Sequence, residues 1–76
     1  MPKFANESEE ATAFLRKQTG SSQLVCYTYI DAENSLESFF IVKTSNKVIQ
    51  VSFAEIAYDP RNYQSLLEGL YRVIYE

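Results

Sequence analysis

Cys26 is the one thiol of the chain and its strongest potential nucleophile, yet there is no histidine to take its proton. The alternation around it sends Leu24, Cys26 and Ile30 to one side, so Cys26 reads as a buried structural cysteine. Glu55 and Asp59 fall one helical turn apart beside Tyr58, a spacing that could pair an acid with a base. Both also occupy helix-capping positions, which explain them without chemistry. Asp31 and Glu33 could hold a weak cation in a turn, but a solvated turn is the plainer reading. No metal set is expected from one cysteine, no histidine and scattered acids. Gly20 and Gly69 stand too far apart for a phosphate-cradling loop. Asn6-Glu7-Ser8 matches a glycosylation acceptor and reads better as a helix cap. The expectation is a non-enzyme with no catalytic residues, no metal and no cofactor.

Composition narrows the classes further. With 76 residues there is room for a single α+β domain spanning 1–76, too small to hide a large cleft. A hydrophobic content of 46% with two Gly and two Pro argues for a folded domain, not a linker. Seven basic against ten acidic residues give a net charge of -3, which disfavours phosphate backbones and anionic lipid. The lone cysteine suggests a reducing compartment, and neither a signal-like start nor about 18 consecutive apolar residues occurs. A soluble, cytoplasmic protein is expected. Six Tyr and five Phe without Trp are unusual, and tyrosine suits positions where one end of the ring is packed and the other wet.

The elements follow from periodicity. Residues Met1 to Ala5 read as a frayed lead-in from which Phe4 could fold back. Asn6 and Glu9 have capping-box spacing before a helix over about Glu7 to Gln18, ended by Gly20, with a narrow stripe of Ala11, Phe14 and Leu15. A strand covers about Gln23 to Ile30, followed by the polar turn Asp31 to Ser35. A second strand runs from about Leu36 to Thr44, and a third from Lys47 to Ser52 after a Ser45-Asn46 hairpin. Ser52 and Glu55 suit a short helical turn, although Phe53 could prolong the strand. Asp59-Pro60 predicts an N-cap and first helical residue for a last helix. Its stripe of Tyr63, Leu66, Leu67, Leu70, Tyr71 and Ile74 is the strongest periodic signal in the chain. Gly69 in its midst predicts a close approach of helix to sheet.

The order is thus α-β-β-β-α, a three-stranded antiparallel meander (1-2-3) packed by a C-terminal helix. Its centre is the run Phe39-Phe40-Ile41-Val42, which is apolar on both faces and needs cover on each. If Thr44 faces Lys47, then Val42 opposes Ile49 and Phe40 opposes Val51. The C-terminal helix should cover that face. Val25, Tyr27, Tyr29, Phe39 and Ile41, with Val48 near them, gather on the reverse. They form either a second small core under the N-terminal helix, through Phe14 and Leu15, or an exposed docking surface.

The layout resembles that of the double-stranded-RNA-binding domain, whose second helix opens with a lysine cluster on phosphate. Here the corresponding opening, Asp59-Pro60-Arg61-Asn62, has one basic residue. The same order also resembles some small acidic phage proteins that inhibit host defence nucleases, including certain anti-CRISPR proteins, which share no sequence motif. Both resemblances are of order alone. The reading that follows is a small acidic module that binds another protein, as an inhibitor or adaptor of a nucleic-acid enzyme. Tyr27, Tyr29, Phe39 and Ile41 would be its anchors, and Asp31, Glu33 and Glu37, with Glu7, Glu9 and Glu10, its carboxylates toward a basic cleft. The alternatives are a structural homodimer, or nucleic-acid binding by stacking on the sheet. No membrane contact is expected.

Overall fold

The computed structural model describes residues 5–76, so the expected lead-in and the fold-back of Phe4 lie outside the described residues. An antiparallel sheet of four strands in sequence order carries two helices. The strands are β1 (Asn6–Glu7), β2 (Val25–Tyr29), β3 (Phe39–Lys43) and β4 (Val48–Ser52); the helices are α1 (Glu9–Thr19) and α2 (Tyr63–Tyr75).

β1 corrects the expected three-stranded sheet and the expected start of the first helix. Ser8, not Asn6, is the N-cap, and its hydroxyl accepts from the Ala11 N–H at 3.1 Å. The Ser8 N–H meanwhile donates to the Cys26 carbonyl at 2.9 Å, which draws Asn6 and Glu7 into extended pairing with Thr28 and Tyr27. Sheet pairing thus selects between two residues that cap equally well. Gly20 ends α1 as expected, at φ 75°.

The predicted register holds across the central strands. Phe40 opposes Val51, Val42 opposes Ile49, and the Thr44 N–H donates to the Lys47 carbonyl at 2.9 Å. The strands are shorter than expected, and at two ends the difference changes where a side chain points. Asp31 Oδ1 accepts from the N–H groups of Glu33 and Asn34, and Asn34 Oδ1 from that of Leu36. Those local bonds wind Ser35–Glu37 into a 3-10 turn and leave Leu36 exposed, so β3 begins at Phe39. Ile30 falls beyond β2 and is 62% exposed, outside the core face it was assigned to. The Ser52–Glu55 capping box is formed and closes a 3-10 turn over Phe53–Glu55. The expected cap at Asp59 is not. Asn62 caps α2, accepting from the N–H groups of Gln64 and Ser65, while Asp59 accepts from the Arg61 N–H in a preceding turn.

One core joins all the elements. Ala11 and Leu15 of α1 and Leu66, Leu67 and Leu70 of α2 pack with Leu24, Cys26, Phe40, Val42 and Val51 of the sheet region. Phe53 and Ile56 close one end, and the Phe53 ring lies 4.8 Å from that of Phe40. Both helices therefore lie on the same face of the sheet.

Gly69 serves an approach different from the expected one. A Cβ there would stand 2.5 Å from Ile56 Cγ2 and 2.9 Å from the Ala57 carbonyl oxygen, so at Gly69 α2 is pressed against the segment leading into it, while its leucines meet the sheet. Gly69→Ala is expected to lose about 1 to 3 kcal/mol of stability, overpacking outweighing the roughly 1 kcal/mol gain in helix propensity. Denaturant midpoints of the two proteins measure it, and a stabilised variant would show that the Ile56-Ala57 segment yields freely.

Candidate functional site

Among the described residues both helices lie on one side, and the reverse face is built by β-strand alternation. Every second residue of β2 and β3 points there: Val25, Tyr27 and Tyr29, then Phe39, Ile41 and Lys43. Tyr27 lies opposite Ile41 and Tyr29 opposite Phe39, whose rings stack at 5.2 Å between centroids and 21° between planes. β4 extends the face with Val48, Gln50 and Ser52, and β1 adds Glu7 opposite Tyr27. None of these side chains belongs to the core, so the small second core under α1 is not formed. Val25, Tyr27, Tyr29, Phe39 and Ile41 are half-buried by one another, whereas Val48 is 62% exposed at the margin.

The acids sit at one end. The loop between β2 and β3 carries Asp31, Glu33 and Glu37 past the Tyr29–Phe39 stack. It is anchored by the buried Ser38, whose hydroxyl accepts from the Asp31 N–H at 2.9 Å. The Asp31 carboxylate already organises the turn. Glu7, expected at the start of the first helix, instead lies on β1 opposite Tyr27. The signal available was Ser8, a second capping residue two positions on.

Elsewhere the candidate chemistry disperses. Glu55 and Asp59 share no helical turn: the Glu55 carboxylate accepts from the Ser52 N–H at 2.9 Å, and Asp59 lies beyond the 3-10 turn. Asp59 is held below the usual carboxylate range by the Arg61 N–H and then by the Arg61 guanidinium, at 3.2 Å. These two residues, with Asp31, Ile30, Tyr58 and Tyr63, line a groove of about 350 Å³ on the helix side. Burial pushes the Tyr63 phenol above its ordinary range, against the pull of the Ser8 hydroxyl. The Thr28 hydroxyl near it is buried and, among the described residues, meets no partner at hydrogen-bond geometry. No nucleophile, base and orienting group line up in this groove. Cys26 is fully buried on the core side, and burial pushes its thiol to about 12. Among the described residues no group of three or more His, Cys, Asp or Glu could hold a metal ion, and no helix is long and apolar enough to cross a membrane.

Compared with known proteins, the chain matches no family model, no curated protein and no solved structure. The open sheet face therefore has to be interpreted from its own chemistry.

Proposed function

We propose that the protein is a non-catalytic module that docks another protein on its open sheet face. One observation carries this reading: aromatic and branched side chains from two strands form a continuous surface, while both helices pack on the other side. A patch of that kind on so small a domain is a site of association. Tyr27, Tyr29 and Phe39 supply large rigid contact area, and Ile41 lies between them and the β4 margin. Glu7 opposite Tyr27 and Glu33 in the neighbouring loop suit a partner with a basic rim, such as the nucleic-acid cleft of an enzyme that acts on DNA or RNA. Inhibiting or adapting such an enzyme is the concrete role. Stacking of nucleic acid on the same rings is the contrasting reading. Against it stands the charge of the face, where the register brings Lys43 as basic residue and Glu7 as acid.

Phe39→Asp and Ile41→Asp are expected to leave the circular dichroism spectrum folded and to weaken partner capture roughly 30-fold or more, the size of a central anchor. The check is a side-by-side pull-down with the wild-type chain followed by titration of the captured protein. Undiminished capture by both variants would sink the reading. A salt-dependent mobility shift with single-stranded RNA, abolished by Phe39→Asp, would replace it with stacking.

A further inference from the structure

The two margins of the sheet are finished differently. On β2, backbone groups that face away from β3 are taken one after another. Thr28 pairs with Asn6, and the Cys26 carbonyl accepts from the Ser8 N–H at 2.9 Å. The Cys26 N–H donates to Thr12 Oγ1 at 2.9 Å, and Arg16 Nε donates to the Leu24 carbonyl at 2.7 Å. β1 and α1 together seal that edge.

Among the described residues the β4 edge has no such cover. The bonds from the Phe53 N–H to the Ser38 carbonyl and from the Thr44 N–H to the Lys47 carbonyl fix which residues bond inward. Lys47, Ile49, Val51 and Phe53 face β3, so Val48, Gln50 and Ser52 turn their backbone N–H and C=O outward. The Ser52 N–H is already given to the Glu55 carboxylate. Among the described residues those of Val48 and Gln50 meet no partner. Val48-Ile49-Gln50-Val51-Ser52 also lacks the charge, proline or bulge by which edge strands avoid pairing.

We propose that β4 pairs antiparallel with β4 of a second copy, with Ile49 on the two-fold axis, to form one continuous sheet. This register lets Val48 exchange both backbone bonds with Gln50 of the second copy, and the reverse, without disturbing the bond from Ser52 to Glu55. A register centred on Gln50 instead needs the Ser52 N–H. Ile49, half-exposed on the helix face, meets its own counterpart across the axis. Charge is complementary at both ends. The Glu55 carboxylate lies beyond the edge, against the outward Ser52 N–H, and the residue opposite Ser52 is Asn46 of the second copy, next to its Lys47. Each end thus sets Glu55 beside a lysine. The open aromatic face stays free and is doubled in width, so this pairing stands independently of what docks there.

A contact of this size is in the weak class, so association is to be read at about 0.1 to 1 mM protein. Sedimentation equilibrium is expected to show a mass rising toward twice the 8.8 kDa of one chain. Amide exchange at Val48 and Gln50 should slow with concentration, while that at Ser52 stays constant. Gln50→Pro removes an outward donor and spares the bonds to β3, so it should hold the chain at one copy. If that variant fails to fold, amide exchange in the wild-type chain decides alone. A constant single-copy mass with Val48 and Gln50 amides exchanging freely at 1 mM would overturn the proposal. So would a dimer that survives Gln50→Pro and is lost in Ile41→Asp, since the copies would then meet face to face.

Discussion

Phe40→Ala is expected to lose about 3 to 5 kcal/mol, while Ile41→Ala, one residue on, loses about 1 kcal/mol or less. The two side chains leave β3 on opposite faces. Phe40 is fully buried, packed on the Phe53 ring and opposite Val51, so its removal opens a cavity that both helices would have to collapse to fill. Ile41 stands on the face away from both helices, beside Tyr27 and Gln50, where truncation leaves a dent open to water. At roughly 0.05 to 0.15 kcal/mol per residue, a chain this long has about 4 to 11 kcal/mol to lose. Phe40→Ala therefore takes a large share of it. Urea unfolding at constant slope measures both losses. Equal losses would mean that the reverse face is packed in the folded chain, and the docking reading would go with it.

That contrast was legible in the sequence only in part. The run Phe39 to Val42 announced a strand with two apolar faces, and pairing Thr44 with Lys47 placed Phe40 against Val51 and Val42 against Ile49, as found. Period-two alternation suffices for that, because a slip of one residue would expose the whole set. What alternation cannot state is which face a helix chooses. The stripe of α1 is narrow, with Leu15 and Ala11 buried and Phe14 only half so, and could have served either side. The choice is made by polar bonds between distant residues: Thr12 to Cys26 and Arg16 to Leu24 hold α1 along the β2 edge, from which Leu15 reaches the shared core. Cap selection failed for a related reason. Asn6 against Ser8, and Asp59 against Asn62, are locally equivalent, and contacts from elsewhere in the fold decide between them. Gly69 was recognised as a close approach, but its neighbour, the Ile56-Ala57 segment, could not be read from helix periodicity.

Cys26 yields the other large effect, in alkaline solution. Its side chain is fully buried, and burial raises the thiol from an ordinary 9.0 to about 12. The native state thus holds the proton more tightly than the unfolded chain does. Below pH 9 both states keep it and stability is unaffected; between 9 and about 12 the unfolded state alone releases it, and stability falls. The slope approaches roughly 1.4 kcal/mol per pH unit. Burial of Tyr63 and Tyr75 adds in the same direction once the pH passes their ordinary 10.0. Cys26→Ala should lower stability at pH 7 through the cavity it leaves, yet flatten the decline between pH 9 and 10, where the thiol titrates first. Urea midpoints of both proteins across that interval provide the measurement. The same burial predicts that a thiol reagent at pH 8 labels Cys26 only through unfolding, at least about 1000-fold more slowly than in 6 M urea. Rapid labelling of the folded chain, or an unchanged alkaline slope in Cys26→Ala, would place the thiol within reach of solvent and reopen it as a chemical group.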